Sequence, residues 1–249
     1  MPRYFVTLSY NGKNYVGWQI QPNGMSVQET IQNAMSTILR QRIEIVGAGR
    51  TDAGVHARKM IAHFDFDGSF NPSEFAFKLN SFLPKDIAIH DICMVKPDAH
   101  ARFSAVARIY SYHINTNKNP FITDLSYRIF YEPNIELMNR LGEVLTEYDD
   151  FTSFSKKHTD VFTNICEVEY AVWKQFGDQY VFTIKANRFL RNMVRSIVGT
   201  LLEAGRNRLD EKGFRDIIEA KNRQMAGDSA PAQGLFLEDV IYPDDIFCI

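Results

Sequence analysis

The densest chemistry in the chain lies in Gly47-Ala48-Gly49-Arg50-Thr51-Asp52-Ala53-Gly54-Val55-His56-Ala57-Arg58. Three glycines within eight residues predict tight turns or the close approach of another group to the backbone. Set among them are two arginines, one carboxylate and one histidine. This is no dinucleotide fingerprint, because GxGxxG needs glycine where Asp52 stands, and it lacks the GK[ST] of a Walker A loop. Two readings remain. One is a hairpin loop closed by a salt bridge. The other is a single Asp held by glycine-rich backbone beside arginines, where a nearby cation keeps the carboxylate ionised as nucleophile or base. His56 and His63 stand seven apart without partner cysteines, which argues against a zinc site.

A second basic cluster spans Lys185 to Arg195, with four basic residues and no acid. Arg188, Arg191 and Arg195 recur at i, i+3, i+7, which predicts one stripe of a helix. Around the first segment Arg40, Arg42, Arg50, Arg58 and Lys59 outnumber Glu44 and Asp52, while Glu238, Asp239, Asp244 and Asp245 make the C-terminal end acidic. Such charge is either a solvated face or a surface for phosphates. The net charge of −2 excludes a bulk polycation that grips nucleic acid everywhere. With 45% hydrophobic residues the chain can bury a core. Cys93, Cys166 and Cys248 lie far apart, as buried or inert thiols of a reducing compartment do. No run of about 18 apolar residues and no signal peptide stands out. A cytoplasmic protein is expected.

The elements that must position these residues follow from pattern. Arg3–Tyr10 alternates as a strand, with Tyr4, Val6, Leu8 and Tyr10 on one face and Phe5 blurring it. Ser26-Val27-Gln28-Glu29 is a capping box, and Val27, Ile31, Ala34, Ile38 and Leu39 continue it as a helix over 27–40. Strands are expected at 43–46, 60–66, 87–95 and 106–115. Asn71-Pro72 opens a helix to about Leu83. In the second half a helix is expected over 135–145, strands near 166–176 and 180–187, helices over 188–204 and 210–221, and a last strand at 235–242. Several strands follow one another too closely for helical crossovers, which favours antiparallel neighbours and an α+β fold. The similar order of elements in the two halves suggests a boundary near 101–106, giving 1–104 and 105–249.

The first segment resembles the catalytic loop of the TruA family of tRNA pseudouridine synthases. Four more segments match that family in order. They are Tyr10-Asn11-Gly12-Lys13-Asn14-Tyr15-Val16-Gly17-Trp18-Gln19, then His100-Ala101-Arg102-Phe103-Ser104-Ala105 with Arg108-Ile109-Tyr110-Ser111-Tyr112. Ala186-Asn187-Arg188-Phe189-Leu190-Arg191-Asn192-Met193-Val194-Arg195-Ser196-Ile197-Val198-Gly199 and Ala230-Pro231-Ala232-Gln233-Gly234-Leu235 complete the set. Ala99 departs from the pattern, standing where an aromatic is expected.

The resemblance implies a pseudouridine synthase fold, with two similar α/β halves around an extended, mostly antiparallel sheet and a central cleft. It implies conversion of uridine to pseudouridine at positions 38, 39 and 40 of the tRNA anticodon stem-loop, without metal or organic cofactor, by a homodimer. Asp52 matches the catalytic aspartate, acting by attack on carbon or by proton abstraction from C2′. Tyr110 matches the active-site tyrosine, first as a stacking face for uracil and second as a proton relay. Arg195 matches the arginine that pairs with that aspartate. Arg50 would fill the gap left by a flipped base or contact phosphate. Arg58, Arg102, Arg188 and Arg191 would bind RNA, and Phe103 and Leu235 would wall the pocket or simply pack in the core. The competing expectations are a sister synthase with another RNA target and a catalytically idle RNA-binding protein on the same scaffold. A glycosidase ranks last, for want of a second working carboxylate.

Overall fold

The computed structural model describes residues 1–156 and 163–248. Nine strands and five α-helices are found among them. The strands are β1 (Arg3–Tyr10), β2 (Val46–Gly47), β3 (His56–Asp65), β4 (Ile87–Val95), β5 (Ala107–Asn115), β6 (Tyr127–Arg128), β7 (Val168–Phe176), β8 (Gln179–Ala186) and β9 (Leu235–Ile241). The helices are α1 (Val27–Leu39), α2 (Pro72–Phe82), α3 (Ile135–Val144), α4 (Met193–Gly205) and α5 (Glu211–Glu219).

The chain divides into two compact units, Met1–Val106 with Phe236–Ile249, and Ala107–Leu235. Sequence order alone put everything after 104 in the second half. The C-terminal stretch instead returns to the first unit, where β9 pairs in parallel with β3 through His56↔Phe236 and Ala57↔Leu237. In the first unit β1 lies between antiparallel β3 and β4. Leu8 faces Met60 and Val6 faces Ala62 across the β1–β3 pair, which aligns buried side chains on one face. Phe5, on the other face, is buried too, edge-on to Tyr242 and Phe247. In the second unit β8 lies between antiparallel β5 and β7.

Helix starts follow their capping residues. The Ser26 hydroxyl accepts from Glu29 N at 3.1 Å, and Val27, Ile31, Ala34 and Met35 form the buried stripe of α1. Gly17 O and Trp18 O accept from Val27 N and Gln28 N, so the first-turn donors are satisfied. Asn71 caps α2 through Glu74 N, with Pro72 at its first position.

Three expected elements differ. The strand expected at 60–66 is longer, running from His56 to Asp65. Of the strand expected at 43–46, only Val46 pairs with β3, joined by the next residue, Gly47. The Ile43 and Ile45 amides donate instead to Ser36 Oγ and Gln32 Oε1 of α1. The helix expected from 188 starts at Met193, because Asn192 takes a left-handed φ of 66° and breaks helical continuity. Arg188 and Arg191 therefore do not share a helical stripe with Arg195; they sit in the loop between β8 and α4.

Close approach fixes where α4 can lie. A Cβ on Gly199 would stand 1.7 Å from Asp228 O, whereas one on Gly49 would meet nothing within 4 Å. Gly199→Ala is expected to destabilise by about 1–3 kcal/mol, and Gly49→Ala by less than about 0.5 kcal/mol. Denaturant unfolding of both variants checks this; equal losses would contradict it.

Candidate active site

Asp52 is half-buried and its backbone is held from several directions. It forms an isolated antiparallel bridge with Gly17. Trp18 N donates to Thr51 O at 3.1 Å, Gly54 N to Tyr15 O at 3.4 Å, and Val55 N to Asp52 O at 3.2 Å. The Tyr10 hydroxyl and Thr51 Oγ1 are 2.8 Å apart. His56 Nδ1 accepts from Gly12 N at 3.1 Å, and its ring stacks on Phe236 with centroids 4.6 Å apart. Residues 10–18 and 51–56 thus interlock through backbone bonds and through the Tyr10, Thr51 and His56 side chains. Each bond contributes about 1 kcal/mol. Burial of Trp18 and Val55 adds a comparable share, about 1.5–3 kcal/mol for a Val-sized side chain.

The interlock depends on Gly17. Its φ is +113°, a region open essentially to glycine, and a Cβ there would lie 2.5 Å from Thr51 O. Of the loop's own glycines, Gly47 lies under the Trp18 indole and Gly54 takes a φ of 77°. Gly49 faces open space.

The other candidate residues of this unit divide into exposed and engaged ones. Arg50 is exposed. The Arg58 guanidinium sits 4.9 Å from the Phe236 ring centre and donates to Glu238 at 3.2 Å. Lys59 pairs with Asp239 at 2.8 Å. The acidic end of the chain therefore neutralises part of the basic cluster beside the loop, a pairing that follows from the β3–β9 contact.

Arg102 and Phe103 ride on a turn built around two histidines. His63 Nδ1 accepts from Ala101 N at 3.2 Å. His100 Nδ1 accepts from Arg102 N and Phe103 N at 3.1 and 3.3 Å. The two imidazoles meet edge-on at 4.6 Å. Arg3 ties the same turn down, donating to Ala99 O and pairing with Asp65 at 2.7 Å. Phe103 is 75% exposed, which overturns the core reading for it. The Arg102 guanidinium lies 5.5 Å from its ring centre. His56 and His63 thus present Nδ1 to backbone amides, and no group of three or more metal-ligating side chains gathers among the described residues.

In the second unit Tyr110 lies half-buried on β5, opposite Ile184 of β8. Its ring is edge-on to Phe189 at 5.1 Å. Tyr112, two residues on, is fully buried and donates to Pro231 O at 2.7 Å; burial pushes its phenol well above the ordinary range. Arg195 is half-buried on α4 among buried Met193, Val194, Ile197 and Leu201, and its Nε donates to Ala230 O at 2.7 Å. Arg188 is half-buried, Arg191 exposed and Leu235 buried. Cys166 is buried, its thiol pushed up to about 11 by desolvation, whereas Cys248 is exposed rather than buried. The Tyr10–Thr51 and His56–Gly12 bonds and the His63–His100 pair carried no signal in local pattern, since each joins residues about 37 to 44 apart in sequence.

Residues 7–104 and 148–243 match the tRNA pseudouridine synthase family, and the chain belongs to that family. The tRNA pseudouridine synthase A of Parabacteroides distasonis is 57% identical, covering 99% of this chain and 98% of the relative. That of Bacteroides thetaiotaomicron is 56% identical, covering 99% and 93%. That of Colwellia psychrerythraea is 38% identical, covering 98% and 95%. No helix among the described residues is long and apolar enough to cross a membrane.

Burial lowers His63 to about 4, with Arg3 and His100 adding to the effect and Asp65 opposing it. Folded His63 therefore stays neutral down to about pH 4, whereas in the unfolded chain it binds a proton near 6.5. Its contribution is complete above about pH 6.5 and is lost as pH falls toward 4, by up to about 1.4 kcal/mol per pH unit. His63→Asn, which keeps an acceptor for Ala101 N, should flatten the acid limb of stability against pH. Urea unfolding between pH 7 and 4.5 measures it; parallel curves would remove His63 from the linkage.

Proposed function

We propose that this chain isomerises uridine to pseudouridine at positions 38, 39 and 40 of the tRNA anticodon stem-loop. The observation that carries the reading is Asp52, locked by backbone against Gly17 within a chain of the tRNA pseudouridine synthase family. In the reaction the N1–C1′ bond breaks, the uracil turns, and C5 bonds to C1′. The C5 proton leaves and N1 regains one, so the product is an isomer and no electrons are exchanged.

An ionised Asp52 serves that sequence either by attacking carbon or by removing the C2′ proton. Arg195 is the counter-charge that the family resemblance assigns to it. Tyr110, half-buried and set edge-on to Phe189, offers an aromatic face to the base. Arg50, exposed at the loop, fills the space of a flipped nucleotide or holds its phosphate. Arg58, Arg102, Arg188 and Arg191 contact the RNA backbone. Phe103 and Leu235 wall the uracil site. The substrate places the reaction in the cytoplasm, and a homodimer brings two basic surfaces to one tRNA. A monomer mass by light scattering at working concentration would contradict the dimer.

Tritium release from tRNA carrying 5-tritiated uridine tests the chemistry, because the C5 hydrogen must leave. Wild type is expected to release label, and Asp52→Ala to release none while binding tRNA within about tenfold of wild type. Normal release by the variant would end the assignment. Bound tRNA without release by wild type would favour the idle RNA-binding scaffold. Arg188→Ala and Arg191→Ala should each flatten the dependence of log Kd on log salt by about 0.7–0.9. An unchanged slope would mean these side chains do not touch phosphate.

A further inference from the structure

The loop that follows α5 is fastened to α4 through Arg195 and through Asn192, Thr200, Arg223 and Ser229, to which no role in the reaction has been assigned. Arg195 and Ala230 exchange two bonds: Ala230 N donates to Arg195 O at 2.9 Å, and Arg195 Nε donates to Ala230 O at 2.7 Å. One residue of the loop therefore meets both the backbone and the guanidinium of Arg195. Next to it, the Ser229 hydroxyl accepts from Asn192 Nδ2 at 2.6 Å and from Arg223 Nη2 at 3.0 Å. Arg223 Nη1 reaches Ala226 O at 3.3 Å. Gly227 N donates to Thr200 Oγ1 at 2.9 Å.

Arg223 is half-buried, and among the described residues its guanidinium is held by two neutral oxygens and no carboxylate. The planar guanidinium presents its donors to both acceptors in one fixed geometry. Loss of that guanidinium leaves Ser229 tied to Asn192 alone and removes the restraint on the Ala226 carbonyl. Ala230, one residue beyond Ser229, keeps the bond from its N–H to Arg195 O, but its carbonyl loses the support of a fixed Ser229, and the Arg195 guanidinium shifts with that acceptor.

We propose that Arg223 is a positioning residue for the reaction, holding the Ser229–Ala230 segment whose carbonyl orients Arg195. The proposal rests on the reading that Arg195 serves catalysis. Arg223 touches no reacting atom and acts through Arg195, so its removal lowers the chemical step rather than tRNA affinity.

The test is single-turnover conversion at saturating tRNA, beside Kd, for Arg223→Ala, Arg195→Ala and the double variant. Ser229→Ala serves as a second probe that removes the shared acceptor and keeps the arginine. Arg223→Ala is expected to react about tenfold or more slowly, with Kd within about threefold and a single cooperative melting transition well above the assay temperature. Added guanidinium ion should restore part of the rate. On the Arg195→Ala background, Arg223→Ala should cost nothing further. Weaker binding with a full rate at saturation would make Arg223 a phosphate contact and overturn the proposal. Losses that multiply in the double variant would overturn it as well. A normal rate for Arg223→Ala and Ser229→Ala beside an impaired Arg195→Ala would sink the positioning role alone. A normal rate for Arg195→Ala would sink the role of Arg195 itself, and the proposal with it.

Discussion

Everything the first unit offers chemically depends on two stretches of backbone occupying almost the same space. Gly17 can bridge Asp52 only because it carries no side chain: a Cβ would sit 2.5 Å from Thr51 O. That contact also connects outward. Gly17 O and Trp18 O accept the first amides of α1, and the same stretch donates through Trp18 N to the Asp52 loop. The start of a helix, the end of a strand and the backbone that carries Asp52 are therefore parts of one hydrogen-bonded knot. Preorganisation of this kind fixes the backbone from which the carboxylate projects before any substrate arrives, so that ordering the loop is not a cost of binding.

The second unit uses the same device with different parts. Its candidate groups, Tyr110 and Arg195, sit on a strand and a helix, and a loop running over Gly199 ties them down. Tyr112 on β5 bonds to Pro231 O, and Arg195 on α4 bonds to Ala230 O. Two adjacent loop carbonyls thereby hold the strand and the helix to one reference. Glu238 and Asp239 pair with Arg58 and Lys59, so part of the basic charge that the net charge of −2 conceals is neutralised within the first unit, while the Arg50 side chain there is exposed.

Much of this was legible from local pattern, and the rest was not for physical reasons. Helix starts at Ser26 and Asn71 could be read because a capping side chain bonds its own neighbours. The β4 strand stood at 87–95 as expected, its isoleucines buried. The start of α4 was misread because apolar and basic spacing continues through 188–192 while the backbone turns left-handed at Asn192. The short β2 was overextended because Ile43 and Ile45 are buried like strand residues, yet bond to α1 side chains. For the candidate site, residue types and motif order pointed to Asp52, Tyr110 and Arg195. The groups that hold them, Gly17, Tyr10 and the 226–231 loop, come from distant parts of the chain, and single-sequence periodicity holds no information about such contacts. The two histidines that first raised the question of metal prove to be acceptors for backbone amides.

The central claim is that the knot around Gly17 places Asp52 for chemistry. Gly17→Ala tests it most directly, since it alters no candidate catalytic or RNA-binding group. A displacement of about 1 Å at a reacting group costs about a hundredfold in rate. The account predicts a loss of that order in single-turnover pseudouridine formation at saturating tRNA, with Kd within about threefold of wild type. A folded Gly17→Ala protein that converts bound tRNA at the wild-type rate would contradict it.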